Sequence, residues 1–248
     1  MQLAAYRLLE GTSTQPSRCF AMITLYTLEQ SRSVRIEWAL KLLGLDYTEE
    51  IFGRQKGTRR APPELKKIHP SGQSPLIKDG DTVVPESGLI IEYLIEKYGQ
   101  ESELAPRSPE DALAIRAGIM ACESNIMIAT MQLYINGMAR SKLPWGLSFL
   151  GGKLLDEIEK GYARGELLNC LSDLQDRVRT NGGFYSNGHI SGADLMYHFT
   201  IFMIRGINIV PDFSTRYPDL VTYYKRVQAK IDSAPRVTVT VIDHRTKL

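Results

Sequence analysis

The stretch Gly72–Tyr93, GQSPLIKDGDTVVPESGLIIEY, decides how the rest of the chain is read. A Ser-Pro bond at Ser74-Pro75 enters an apolar strand, Asp79-Gly80-Asp81 marks a tight turn, and a second short strand follows at 82–84. Glu86-Ser87 then opens an amphipathic helix over about 86–98. That order sets two polar anchors beside one backbone segment. The N–H groups at a helix start suit a carboxylate, and a buried acid there suits an ammonium, so the stretch reads as a cradle for a small zwitterionic peptide.

Upstream, residues 22–27 alternate as a strand, and Ser31 or Ser33 opens a helix carrying Val34, Trp38, Leu42 and Leu45 at helical spacing. Tyr47–Phe52 alternates again, 53–62 is a Gly, Arg, Lys and Pro-rich loop, and Pro63-Glu64-Leu65 fits a short helix before His69-Pro70. The sum is β-α-β followed by β-β-α. A right-handed crossover plus a hairpin gives a four-stranded mixed sheet with three helices, the thioredoxin-like arrangement. Pro75 sits where that arrangement turns the chain beside a ligand. Both isomers of the Ser74–Pro75 bond are open at this point.

Residues 101–109 form a linker, and the character then changes. Helical patterns cover about 110–140, 149–180, 191–205 and 217–231, so residues 110–248 read as an all-α helical bundle. Ser191-Gly192-Ala193-Asp194 is a capping-box variant that seeds one of those helices. The chain thus divides into an extension (1–21), an α+β thioredoxin-like domain (22–100), a linker and an all-α domain. The extension has one acid, Glu10, and a short apolar run; it reads as a tail or one extra helix before it reads as an organelle signal.

At 248 residues, two domains are expected, and 43% apolar with 23% charged residues is ordinary globular composition. A net charge of +2 with only paired basic residues, Arg59-Arg60 and Lys66-Lys67, gives no nucleic-acid footprint. Cys19, Cys122 and Cys170 are odd in number and lack C-x-x-C spacing, which argues against a disulfide framework and for a reducing, cytoplasmic setting. No run reaches about 18 apolar residues, so no spanning helix is expected.

GQSP and PES in a thioredoxin-like half, followed by SGAD in a helical half, resemble a cytosolic-type glutathione transferase. APPELKKIHPSGQSPLI at 61–77 and ESG at 86–88 are similar to the yeast-type fungal members, and EQSRSVRIEWAL at 29–40 to bacterial ones. The resemblance covers residues 22 to about 235. It implies a detoxifying enzyme that activates glutathione as a thiolate and adds it to small hydrophobic electrophiles, with hydroperoxide reduction as a side activity and a homodimer as the assembly. Glutathione is then the co-substrate and no metal is expected. The alternative within the same fold is a non-catalytic binding or regulatory module.

The resemblance also assigns residues. A hydroxyl at the start of the first helix stabilises the thiolate. Ser31 is the expected donor, with a plain helix cap as its ordinary alternative and Ser33 or Gln30 as other candidates. Tyr26 lies within the strand and reads as a packed aromatic. Glu86 and Ser87 would hold the γ-glutamyl end, Ser74 before Pro75 the cysteinyl backbone, and Gln73 the tripeptide through its amide. Arg60 would take the glycyl carboxylate, with Arg59, Lys66 and His69 as alternatives. Ser124, Met127, Met131 and Tyr134 have the spacing of an electrophile pocket, although such stripes are more often core. Trp145, Leu147, Phe149 and Leu150 read as a packed helix corner, with membrane contact the less favoured alternative.

Overall fold

The structure, a computed structural model, describes residues 23–245. The N-terminal extension, Cys19 and Met22 lie outside the described residues. The first domain follows the sequence pattern closely: β1 (Ile23–Leu28), α1 (Val34–Leu42), β2 (Tyr47–Phe52), α2 (Leu65–Ile68), β3 (Leu76–Asp79), β4 (Thr82–Pro85) and α3 (Ser87–Tyr98). β1 pairs parallel with β2 and antiparallel with β3, which forms a hairpin with β4. The Ser74–Pro75 bond is cis.

The four expected strands are joined by a fifth. The sheet order is β4-β3-β1-β2-β5, where β5 (Val239–Asp243) comes from the end of the chain and pairs parallel with β2. The expectation of an all-helical segment up to 248 is corrected accordingly. Its signal was present: Val237-Thr238-Val239-Thr240-Val241 alternates with period two. β5 is anchored at one end by the Asp46 carboxylate accepting from the Thr238 amide at 2.6 Å. At the other, His244 stacks on Phe52 (centroids 4.7 Å) and lies 3.0 Å from the Glu50 carboxylate.

The helical half contains α4 (Pro109–Ala121), α5 (Ile128–Ser141), α6 (Ser148–Ile158), α7 (Arg164–Thr180), α8 (Gly192–Gly206), α9 (Phe213–Arg216) and α10 (Pro218–Asp232). A π-helical segment, Cys122–Met127, joins α4 to α5 without a break. The resulting 33-residue helix, Pro109–Ser141, is long and apolar enough by length and composition to cross a membrane, unlike the expectation from apolar runs alone. Here it packs Ile115, Ile119, Cys122, Ile126, Ala129 and Leu133 into the core.

One core spans both halves. Ile36, Leu40, Ile90, Ile91 and Leu94 from α1 and α3 pack with Leu195, Met196 and Ile201 of α8. The buried Asp194 starts α8 as expected, accepting from the Ser191 amide (2.8 Å), the Ser191 hydroxyl (2.7 Å) and the Tyr185 amide (2.8 Å). Asp79, at the hairpin turn, ties the sheet to α3 by accepting from Tyr93, Lys97 and Tyr98 at 2.7–2.8 Å.

The Trp145–Leu150 segment is not a packed corner. Trp145 is 95% exposed, and Phe149 and Leu150 are 74% and 71% exposed. The glycines explain this: a Cβ on Gly151 would lie 2.9 Å from Leu143, and one on Gly152 3.3 Å from Arg140. α6 therefore lays its glycine face on the end of α5 and turns its aromatic face outward.

Two predictions follow from this packing. Asp194→Ala strands the Tyr185 and Ser191 amides, and chemical denaturation should record a loss of about 2–4 kcal/mol; a change below about 0.5 kcal/mol would contradict the role. Glu37 on α1 is pushed up to about 7 by burial and by Glu49 on β2. Its folded-state pKa lies above the unfolded value, so its contribution is fully present below the ordinary carboxylate range and is lost as pH rises through about 7. Glu37→Gln should flatten the stability profile between pH 5 and 8 by on the order of 2 kcal/mol; an unchanged slope would refute this coupling.

Candidate active site

The turn between β1 and α1 is held from outside by one guanidinium. Arg54 donates from Nε to the Glu29 carbonyl (2.9 Å), from Nη2 to Gln30 (3.0 Å) and from Nη1 to Arg59 (3.1 Å). Gln30 has φ +53°, a left-handed conformation unusual without glycine, and Arg59 donates to its side-chain oxygen at 2.7 Å. Gln30 is thus exposed and occupied.

Ser31 follows, partly exposed, and its hydroxyl accepts from the Ser33 amide at 3.2 Å. Ser33 stands at the start of α1 but does not cap it with its side chain. Its Oγ, in a side chain only 1% exposed, lies 2.8 Å from Ser31 Oγ and 2.8 Å from Ser74 Oγ. Ser74 in turn donates to the Tyr26 carbonyl (3.0 Å) and accepts from the Leu28 amide (2.9 Å). Ser31, Ser74 and Pro75 are brought together as expected; the side-chain link through Ser33 was not foreseen. Tyr26 packs with Leu28, Phe52, Leu65 and Leu76, as a core aromatic.

Glu86 and Ser87 stand at the N-terminus of α3. Glu86 has φ +66° and Ser87 is buried. The acid was expected to be buried; instead Glu86 is exposed, lifted to the surface by that left-handed backbone. The two residues line a cleft of about 480 Å³ with Arg32, Glu92, Glu123 and Ser124. Gly88 lets α3 approach α4 there, since a Cβ would lie 2.5 Å from Ile119.

A second cleft, of about 540 Å³, lies on the other side of Arg32 and Glu123 and is lined by Met127, Ile128, Met131, Gln132, Ile135 and Asn136. The expected electrophile stripe is therefore split: Ser124 faces the first cleft, Met127 and Met131 the second, and Tyr134 neither. The divider is a charge cluster. Arg32 donates to Glu123 at 2.6 Å, and the wholly buried Arg35 donates to the other oxygen of the same carboxylate. Arg35 also lies 4.6 Å from the ring centroid of Phe199 and within 3.5 Å of Met196 Sδ.

Arg60 and Gln73 are exposed and line neither cleft. Of the alternative cations, Arg59 is engaged by Gln30 and His69 lies 2.9 Å from the Ser71 hydroxyl. Burial pushes the thiols of Cys122 and Cys170 up to about 11 and 12, which holds both protonated. Among the described residues no cluster of His, Cys, Asp and Glu is placed to hold a metal.

The fold agrees with the relatives of the chain. Residues 25–102 match the family model for the glutathione S-transferase N-terminal domain. Glutathione S-transferase 1 of Saccharomyces cerevisiae is 31% identical over 189 residues, covering 73% of this chain and 80% of the yeast protein. Glutathione S-transferase 3 of Schizosaccharomyces pombe is 25% identical, over 73% of this chain and 74% of its own. Among solved structures, a glutathione S-transferase from Actinobacillus pleuropneumoniae superposes with TM-score 0.58 at 26% identity, over 86% of this chain and 94% of its own. A glutathione transferase of Phanerochaete chrysosporium, solved with oxidized glutathione, reaches TM-score 0.68 at 21% identity over 85% and 94%. With a thioredoxin-like sheet, an attached helical half and an extended match to the yeast enzyme, the chain belongs to the glutathione S-transferase family.

Proposed function

We propose that this transferase holds the glutathione thiolate on the hydroxyl of Ser31 and adds it to small hydrophobic electrophiles, with reduction of organic hydroperoxides as a side activity. The observation that carries this reading is the partly exposed Ser31, fixed at the start of α1 beside the cis Ser74–Pro75 bond. A free thiol is only a few per cent ionised at neutral pH, so a donor hydroxyl near a helix start increases the reactive fraction.

The other roles follow from position. The γ-glutamyl carboxylate meets the Ser87 hydroxyl and the N–H groups that open α3, while Glu86 takes the ammonium. The backbone of Ser74 pairs with the cysteinyl segment, Pro75 fixes the approach of that backbone, and the Gln73 amide assists. Arg60 has no side-chain partner among the described residues and is free to meet the glycyl carboxylate. The cleft beyond Arg32 and Glu123, lined by Met127 and Met131, suits an apolar acceptor, and Ser124 offers a hydroxyl in the first cleft next to it.

Leu89 on α3 and Met120 on α4 are exposed and line the first cleft, and Leu113 on α4 is exposed as well. We read this face as covered by a second copy, giving a homodimer. Free thiols at Cys122 and Cys170 fit a cytoplasmic setting.

The test is retention on immobilised glutathione together with turnover of an aromatic halide and an organic hydroperoxide. Wild-type protein should be retained and active. Ser31→Ala should keep its affinity for glutathione, lose about ten- to hundredfold in kcat, and ionise the bound thiol at higher pH. Retention without any turnover would favour a binding module, and wild-type kinetics in Ser31→Ala would remove this serine from the chemistry.

A further inference from the structure

Three serine hydroxyls, from residues 31, 33 and 74, form a line with defined ends. The inner end has one group that can only donate, the Leu28 N–H, and one that can only accept, the Tyr26 carbonyl, 2.9 and 3.0 Å from Ser74 Oγ. Ser33 Oγ bridges Ser74 and Ser31 at 2.8 Å on each side. Because Ser33 is 1% exposed and does not cap α1, its hydroxyl serves this line and nothing else.

A hydroxyl has one proton to donate and lone pairs to accept, so the line has two coherent directions. Run inward, Ser31 donates to Ser33, Ser33 to Ser74, and Ser74 to the Tyr26 carbonyl. In that state the Ser31 oxygen is left as an acceptor towards a bound thiol. Run outward, the Leu28 N–H donates to Ser74, Ser74 to Ser33, Ser33 to Ser31, and the Ser31 proton faces a thiolate. Each bond in the outward line polarises the next and makes the terminal O–H a stronger donor.

We propose that Ser33 and Ser74 are positioning residues of a reversible hydroxyl relay, which turns the Ser31 proton outward when glutathione loses its thiol proton. This rests on the reading of Ser31 as the thiolate's donor and goes beyond it, since neither partner touches the sulfur. The thiol proton leaves to solvent. Each serine keeps its own proton and only rotates its O–H, so no bond to oxygen is made or broken. The charged groups around the turn are Arg32 with Glu123, Arg54, Arg59 and, at the first cleft, Glu86. None of them is altered by substituting Ser33 or Ser74.

The experiment follows thiolate absorbance of glutathione bound to the full-length protein as a function of pH, alongside the pH profile of kcat/KM. Ser33→Ala and Ser74→Ala should each move both midpoints up by about half to one pH unit, a three- to tenfold loss of thiolate at fixed pH. The double variant should add little to the larger single effect, because a line once broken has no further members to lose. Ser33→Thr, which keeps the hydroxyl, should restore the midpoint. The two variants break the line at different members, so poor folding of one leaves the other informative. If Ser31→Ala moves the midpoint and neither Ser33→Ala nor Ser74→Ala does, the relay is refuted and the Ser31 reading stands. If Ser31→Ala also leaves it unmoved, the reading beneath the relay fails and the relay fails with it.

Discussion

A guanidinium with no exposed surface must be neutralised where it lies, and Arg35 is such a group. Glu123, 88 residues further along the chain, supplies the carboxylate. Removing one partner of a buried pair typically costs about 3–5 kcal/mol, because the remaining charge is stranded. The pair does more than hold two halves together. Arg35 comes from α1, whose start carries Ser33, and Glu123 comes from the π-helical segment between α4 and α5. The same carboxylate also takes Arg32, the wall shared by both clefts. The start of α1 and the wall between the two clefts are therefore tied together by one interaction.

Backbone strain is also present in this region. Gln30 and Glu86, both with positive φ and neither a glycine, flank the two anchors proposed for glutathione. Conformations of this kind cost about 1–3 kcal/mol each and persist only where neighbours over-determine them. At Gln30 those neighbours are Arg54 and Arg59, and at Glu86 the first turn of α3, where the Ile90 amide donates to the Glu86 carbonyl at 2.9 Å.

Local pattern carried most of the fold. The strand at 47–52, the hairpin around Asp79-Gly80-Asp81 and the Ser191–Asp194 cap are all set by neighbours within a few residues, where period and capping chemistry are visible. What escaped was decided at long range. β5 alternates plainly, yet its partner strand lies at the other end of the chain. The Ser33–Ser74 contact joins positions 41 residues apart by one hydroxyl pair, which leaves no periodic trace. Trp145 and Phe149 look like core in composition, and only the glycine face of α6 reveals which side packs. Within the site, the order Ser31, Ser74-Pro75, Glu86-Ser87 was legible because the fold itself imposes it. The division of the apolar stripe between two clefts was not, since it depends on where Glu123 projects.

The annexed strand changes how this molecule comes into being. Asp46 and Thr238 are hydrogen-bonded across 192 positions, so the sheet that carries the Ser31 turn draws its outermost strand from a segment translated long after the other four. A ribosome exposes the first four strands long before it releases the fifth, and until then β2 presents a bare edge to any extended chain nearby. Synthesis from the N-terminus thus yields the thioredoxin-like half unsealed, and the later arrival of β5 seals it. The half translated first is therefore completed only after the helical half has been made.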